Sequence, residues 1–173
     1  MTPTKRLAIG CWIAGLIAFG VAIWLHLPLT TDTVPGGMGD HQRAPDAETV
    51  NRIQRAWEAA NLLGTAKLAM ISDLIFIGIY GIGCVLCGLH YRARPQVVLR
   101  TLGWTALVSG AAFLITDYGE TIAQLIQLIR FAGDDNLAAL ASTFRPIKEV
   151  AWIGGFLAVI LALIAERLSS RAP

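Results

Sequence analysis

Four long apolar runs constrain this chain more than any other feature. The first, residues 7–29, has 23 residues without Asp, Glu, Lys or Arg, and the second, residues 68–89, is interrupted only by Asp73. The third and fourth, residues 101–116 and 150–165, are free of these charges for 16 residues each. An α-helix needs about 20 predominantly apolar residues to cross a bilayer. The sequence therefore predicts an all-α, four-transmembrane-helix bundle.

The two shorter runs must include flanking charged residues in order to span. At about 1.5 Å of rise per residue, 16 residues fall short of a hydrocarbon core of about 30 Å. Charged side chains beside these runs then lie at or inside the membrane boundary. We predict a single membrane domain over residues 1–173, with spans at about residues 7–29, 68–89, 99–118 and 147–166 and outer connections at residues 30–67 and 119–146.

Composition supports a membrane protein and excludes several other classes. Charged residues make up 15% of the chain, compared with about 25% in soluble domains. Fourteen basic residues against twelve acidic ones leave no surplus for phosphates, so we expect no nucleic-acid partner. No phosphate-binding loop or paired metal-ligand motif is present, so we predict no cofactor. The first run is too long for the apolar part of a signal peptide, and we interpret it as an uncleaved helix.

The distribution of basic residues predicts the orientation. Four spans place both termini on one side of the membrane, and the positive-inside rule assigns the more basic short segments to the cytoplasm. We therefore expect a multi-pass protein of the plasma membrane, the inner membrane of a bacterium, with both termini cytoplasmic. The only acid in these segments is Glu166, and their basic residues are Lys5, Arg6, Arg92, Arg94, Arg100, Arg167 and Arg171.

The outer connections should contain helical segments. After an irregular loop over residues 30–45, Val50, Ile53 and Trp57 recur at helical spacing, which predicts an amphipathic helix with Trp57 at the membrane interface. This helix could rest on headgroups, or it could form a lid or a docking surface for a partner. The apolar pattern of the third span continues past Glu120 as one unbroken helix. Pro146 is well placed to begin the fourth span.

Four ionisable side chains converge at one predicted depth near the outer ends of the spans. They are Asp73 in span two, Asp117 and Glu120 in span three, and Lys148 at the start of span four. Charged groups inside a membrane are costly and normally have a partner. We expect Lys148 to pair with Asp117 or Glu120. Tyr80, seven residues after Asp73 on the same helical face, could donate a hydrogen bond into the same space.

Small residues at four-residue spacing indicate which helix faces pack closely. Such stripes continue the charged faces of spans three and four, so the polar cluster should point into the bundle rather than to lipid. We expect these stripes at Ala14, Ala18 and Ala22 in span one, at Gly103, Ala106 and Gly110 in span three, and at Ala151, Gly155, Ala158 and Ala162 in span four.

A known family shows a related pattern. Residues 71–80, the segment Asp117-Tyr118-Gly119-Glu120-Thr121 and Lys148 resemble small bacterial four-helix membrane proteins of uncharacterised function. That family pairs Asp and Tyr in its second span with an Asp-x-x-Glu-Asn end to its third and a Lys opening its fourth. Here Thr121 stands in place of the Asn. The resemblance covers roughly residues 57–160 and implies the fold and a shared polar site, but no particular activity.

Histidine and cysteine supply weaker signals. Cys84 and Cys87 form a CxxC pattern, but on a helix in the cytoplasmic half of the membrane we expect them to be reduced packing residues. His26 and His90 fall at opposite ends of their spans, which argues against a shared haem. We interpret both as boundary residues and leave open a metal site in which His26 or His41 joins the outer carboxylates.

These features lead to three functional hypotheses. The first is a protein whose outer-leaflet pocket binds or moves a small polar ligand, a lipid headgroup, a proton or a cation, with Asp73, Tyr80, Asp117, Glu120 and Lys148 as the binding residues. The second is an accessory subunit of a larger membrane complex. The expected partners are the lipid bilayer and either such a complex or further copies of this chain in a homo-oligomer. The third is an intramembrane enzyme that acts on a lipid-like substrate through a protonated carboxyl group. Alternatively, the charges are only a structural ion pair.

Overall fold

Six α-helices form the protein in a computed structural model that describes residues 3–169. Four of them are long and apolar enough to cross a membrane, which confirms the predicted all-α four-helix bundle. A short 3-10 turn, Leu27–Leu29, follows the first helix. Arg171, one of the residues used to predict the orientation, lies outside the described residues. The helices are α1 (Pro3–His26), α2 (Met38–Arg43), α3 (Ala47–Ala59), α4 (Leu63–Arg92), α5 (Val97–Arg130) and α6 (Asp135–Ser169).

The long helices pack in the order in which they occur in the chain: α1 lies against α4, α4 against α5, and α5 against α6. Turns of a few residues join α4 to α5 and α5 to α6, so these neighbours run antiparallel. Lys5 at the start of α1 forms an ion pair with Glu166 near the end of α6. Arg94 and Tyr91 also bind Glu166, at 3.1 and 2.9 Å. The start of α1 and the end of α6 therefore lie at the same end of the bundle, which we call the terminal end.

Small residues allow the helices to approach closely. A Cβ added at Gly15 would lie 2.5 Å from the Cα of Tyr80, so α1 and α4 touch backbone to backbone. The predicted stripes of α5 and α6 are confirmed, since every member is buried. The stripe predicted for α1 is only partly correct, because Ala22 is buried and Ala18 packs against the core but Ala14 is exposed. The buried face of α1 is rotated by about one residue and consists of Ala8, Trp12, Gly15 and Ala22.

The opposite end of the bundle is covered by α2 and α3, and we call it the capped end. Asp46 begins α3 by accepting a hydrogen bond from the backbone N–H of Thr49 at 2.8 Å, which satisfies one of the free donors at a helix start. The predicted amphipathic face of α3 is confirmed. Trp57 is fully buried and donates its indole N–H to the carbonyl of Leu29 at 3.0 Å. The predicted interfacial position of Trp57 is therefore wrong, because its ring lies inside the cap.

Helices α5 and α6 are the two longest helices of the bundle. Helix α5 continues unbroken past Glu120, as predicted, and ends where Phe131 adopts a left-handed conformation with φ 51°. Helix α6 starts at Asp135, so Pro146 lies inside it and does not begin it, contrary to the prediction. At 1.5 Å per residue, 34 and 35 residues give lengths of about 50 Å. Both helices therefore extend beyond a hydrocarbon core of about 30 Å.

Candidate functional site

Three helices bring the predicted charged residues to one depth, below the cap. Asp117 lies about 20 Å from the capped end of α5, Lys148 about 20 Å from the capped end of α6, and Asp73 about 15 Å from that of α4. All three side chains belong to the faces that pack inside the bundle. The convergence predicted from the spans is therefore present in the structure.

Lys148 links the two acidic residues of α5. Its Nζ lies 2.8 Å from Oδ1 of Asp117, to which it donates a hydrogen bond, and 2.9 Å from Oε1 of Glu120 in an ion pair. Asp117 Oδ1 also accepts a hydrogen bond from Thr121 at 3.4 Å. The sequence predicted that Lys148 pairs with Asp117 or with Glu120, whereas in the structure its ammonium group contacts both. This sharing ties α5 to α6 at the level of the site.

Asp73 has a partner that the sequence analysis set aside. Nε2 of His26 lies 3.0 Å from Oδ2 of Asp73, which joins the end of α1 to α4. The interpretation of His26 as an ordinary boundary residue is therefore wrong. The four-residue spacing between Ala22, which is buried, and His26 could have revealed the contact, because both positions lie on the same face of α1.

Tyr80 does not join the charged cluster. Seven residues place it about 10 Å further along α4 than Asp73, and its hydroxyl donates to the backbone carbonyl of Trp152 at 2.8 Å. Phe113 packs edge-on against its ring at 5.2 Å. The predicted hydrogen bond from Tyr80 into the polar space is thus absent, because packing directs the hydroxyl across to α6. Tyr80 forms part of the floor beneath the site.

A cavity of about 380 Å³ adjoins the charged residues. Aromatic side chains form its apolar wall, with ring centroids 4.9 Å apart for Phe19 and Phe76 and 5.2 Å apart for Phe19 and Trp152. Asp73 and Asp117 line the same space, whereas Glu120 lies behind Lys148 and is fully buried. The complete lining consists of Phe19, His26, Gln42, Asp73, Phe76, Phe113, Asp117, Arg145, Lys148, Glu149, Trp152 and Ile153.

Arg145 closes the side of the cavity nearest the cap. It donates a hydrogen bond to Oε1 of Gln42 at 2.8 Å and forms an ion pair with Glu149, one turn further along α6, at 3.0 Å. Because Gln42 belongs to α2, this contact connects the cap to the cavity rim. The sequence analysis did not identify either residue, since the contact joins positions about one hundred residues apart.

A stripe of buried polar side chains continues from the cavity into the cap along α5. Glu120, Thr121, Gln124 and Gln127 are each at most 1% exposed. The amide of Gln124 donates to the carbonyl oxygen of His41 at 3.3 Å. Of this stripe only Glu120 was predicted as a site residue, although the spacing of its members at three and four residues was a usable signal.

His41 anchors α2 over this stripe as a neutral side chain. Burial lowers the pKa of His41 to about 4, and a hydrogen bond with Gln124 opposes the shift. The amide of Gln54 from α3 donates to Nε2 of His41 at 3.3 Å. His41 therefore lies within the cap and does not reach the carboxylates of the cavity. Residues 3–169 contain no cluster of three His, Cys, Asp or Glu side chains with metal-binding geometry.

The cysteines lie away from the cavity. Cys84 and Cys87 are buried free thiols in the packed part of α4 nearer the terminal end. Cys11 donates its thiol hydrogen to the carbonyl of Ile79 at 3.3 Å. All three thiols contribute to contacts between helices.

Comparison with known proteins gives no match to a family model, a curated protein or a solved structure. The resemblance to small bacterial four-helix membrane proteins therefore stays a prediction. The function has to be argued from the geometry of the cavity and its charges.

Proposed function

We propose that this membrane protein binds a small amphipathic molecule in the cavity below its cap. The observation that carries the proposal is the cavity itself, whose volume of about 380 Å³ falls within the range of small-molecule sites, about 300–1,000 Å³. Ligand sites are typically apolar with a few placed polar groups. Here the rings of Phe19, Phe76, Phe113 and Trp152 face the carboxylates of Asp73 and Asp117.

The charged residues support a binding role beyond helix packing. Neutralising one lysine requires one carboxylate, yet Lys148 contacts two, and Asp73 adds a third beside His26. Buried ion pairs contribute little net stability compared with apolar residues of similar size. Retaining this many charges beside an open cavity is therefore better explained by a ligand than by packing alone.

The proposal includes an orientation. With the basic terminal end in the cytoplasm of a bacterium, following the positive-inside rule, the capped end lies outside and the cavity faces the outer leaflet of the plasma membrane. A ligand would then enter from the outer leaflet or from the outer aqueous phase. Labelling an introduced cysteine at residue 32 or at residue 94 with a membrane-impermeant reagent tests this orientation.

Native mass spectrometry of the gently extracted protein tests the proposed function. The matched variants are Ile153→Trp and Ile164→Trp, because both positions are on α6 and each isoleucine is 50% exposed, but only Ile153 lines the cavity. We expect a non-protein mass on the wild type and on Ile164→Trp that is reduced at least tenfold on Ile153→Trp. An equal mass on both variants would overturn the proposal. A stoichiometric protein partner in place of a small ligand would favour an accessory subunit.

A further inference from the structure

We propose that the ligand of this cavity is an organic cation, with an ammonium-type head held by Asp73 and Asp117 and an apolar part against the aromatic wall. This inference rests on the proposed function and specifies its ligand class. Three features of residues 3–169 support this ligand class: the permanent cations of the site already contact carboxylates, its carboxylates have free oxygens, and aromatic rings lie beside them.

The permanent cations of the site are already engaged, which argues against an anionic ligand. Lys148 Nζ lies within 2.9 Å of carboxylate oxygens from both Asp117 and Glu120. Arg145 is held by Glu149 at 3.0 Å and by Gln42 at 2.8 Å. An anion would have to share these cations with the carboxylates that already contact them, and the like charges would repel each other in a partly buried site.

Each of the two aspartates that line the cavity has one carboxylate oxygen without a hydrogen-bond partner among residues 3–169. Asp73 bonds His26 through Oδ2, and Asp117 bonds Lys148 and Thr121 through Oδ1. Within residues 3–169, Oδ1 of Asp73 and Oδ2 of Asp117 have no hydrogen-bond partner. The two residues are only 7% and 4% exposed, yet neither of these oxygens is fully buried, so both can be reached from the cavity. They are suitable acceptors for an N–H donor or neighbours for a quaternary ammonium.

The charge balance favours the same ligand. Asp73, Asp117 and Glu149 line the cavity and Glu120 lies behind Lys148, which sets four acidic side chains against the permanent cations Lys148 and Arg145. His26 contributes at most one further positive charge through its contact with Asp73. With these acids ionised, a bound monocation reduces the excess negative charge, whereas an anion increases it.

The aromatic wall provides a second recognition element for a cation. Phe76 lies between Phe19 and Phe113, at centroid distances of 4.9 and 5.7 Å. Aromatic faces attract organic cations within about 6 Å and also pack against apolar groups. Since Phe76 is on α4, one turn after Asp73, the same helix presents a carboxylate and a ring to the ligand. A head that is both charged and apolar, such as a substituted ammonium, fits this combination.

A matched probe series tests the inference on the purified full chain in a nonionic detergent. The probes are benzyltrimethylammonium, its neutral isostere neopentylbenzene and the anion phenylmethanesulfonate, with binding measured by calorimetry. We expect the cation to bind at least tenfold more tightly than the neutral isostere, and the anion not to bind. Equal affinity for the cation and its isostere would overturn the inference but leave the proposed function standing, because that function is decided by the Ile153→Trp comparison.

Two variants locate the cation. Asp73→Asn and Asp117→Asn should each weaken binding of benzyltrimethylammonium at least tenfold, whereas Asp32→Asn, an exposed loop residue outside the cavity, should not. Asp73→Asn keeps the Lys148 ion pairs, so it remains informative if Asp117→Asn does not fold. Unchanged binding in the folded Asp73→Asn variant would contradict the assignment of the head to these carboxylates.

The source of the cation can be a lipid headgroup or a free molecule. Nanodiscs of phosphatidylglycerol, with or without phosphatidylethanolamine, distinguish them because only the second lipid carries an ammonium group. Competition between phosphatidylethanolamine and benzyltrimethylammonium would support the inference with a lipid as the source. If phosphatidylethanolamine leaves the binding of benzyltrimethylammonium unchanged, the result would support the organic-cation inference with a free molecule as the source.

Discussion

Asp117 and Lys148 are joined between α5 and α6 at 2.8 Å, with side chains only 6% and 12% exposed. The same Nζ lies 2.9 Å from Glu120, so one ammonium is shared by two carboxylates inside the bundle. Removing one member of a buried ionic group leaves the others uncompensated and typically costs about 3–5 kcal/mol. The two residues therefore connect the structural integrity of the bundle to the electrostatics of the cavity.

Lys148→Ala should lower the free energy of unfolding by about 3–5 kcal/mol, because Asp117 and Glu120 then share a site without a cation. The measurement is thermal or denaturant unfolding in detergent. Lys67→Ala serves as a control, since no ion pair of Lys67 is found within residues 3–169. Wild-type stability of Lys148→Ala would show that the charges are not coupled as the structure indicates.

Neutralising the whole group separates structure from binding. The triple variant Lys148→Met, Asp117→Asn, Glu120→Gln should recover most of the stability lost in Lys148→Ala, because no uncompensated charge remains. Its binding of benzyltrimethylammonium, measured by calorimetry, should still be weaker than that of the wild type. If the triple variant binds as well as the wild type, these charges form only a structural group.

Acidification should destabilise the cap through His41. Its pKa is about 4 in the folded protein and about 6.5 in an unfolded chain. Between these pH values the unfolded chain binds a proton that the folded chain does not, so the free energy of unfolding falls as the pH is lowered from 6.5 to 4. The shift corresponds to about 3 kcal/mol in total.

The variant His41→Gln isolates this contribution from those of other titrating groups. Unfolding of the wild type and of the variant is compared from pH 7 to pH 4 in the same detergent. We expect a shallower loss of stability in the variant. The same pH dependence in both proteins would contradict the buried neutral histidine.

Gly15→Ala should weaken the contact between α1 and α4. The added Cβ would lie 2.5 Å from the Cα of Tyr80, so the helices must move apart, at a cost of about 1–3 kcal/mol for an overpacked core. Gly20→Ala on the same helix is the matched control, because nothing lies within 4 Å of its Cβ position. The control should be neutral or slightly stabilising, since alanine favours helix more than glycine does. Unfolding midpoints that shift equally for both would contradict the close approach.

Trp57→Phe should destabilise the cap by about 1–3 kcal/mol, because the buried carbonyl of Leu29 loses the indole N–H at 3.0 Å. Trp104→Phe is the control, since Trp104 is 49% exposed. Hydrogen exchange of α3 amides provides the local measurement. Faster exchange in α3 for Trp57→Phe alone is the expected result, and equal exchange in both variants would show that the bond does not hold the cap.

Each predicted span falls on one of the four long helices, because both the span and the helix depend on local sequence pattern. Apolar runs near 20 residues become helices, since a backbone in lipid must satisfy its hydrogen bonds within the segment. The buried stripes of small residues on α5 and α6 were also predicted correctly, because three- and four-residue spacing places residues on one helix face. The start of α6 was not predicted correctly, because Pro146 is typical of a helix start but here lies inside a longer helix.

The sequence predicted only part of the site, because some of its contacts join residues that are far apart in the chain. The depths of Asp73, Asp117 and Lys148 follow from their distance to the span ends, and their convergence was predicted. The contact of His26 with Asp73 depends on how α1 is rotated against α4, where Gly15 lies against Tyr80 and Ala22 is buried on the face that carries His26.

By itself, the sequence determined that this protein is a bundle of four apolar helices with charged residues at one depth, because helix formation and membrane insertion depend on neighbouring residues in the chain. Only the tertiary structure decided that Tyr80 lies outside the cluster, that His26 lies inside it, and that Gln42 of α2 lines an aromatic cavity. Each of these depends on packing between residues far apart in sequence, where rotation of a helix by one residue exchanges the side chains that meet.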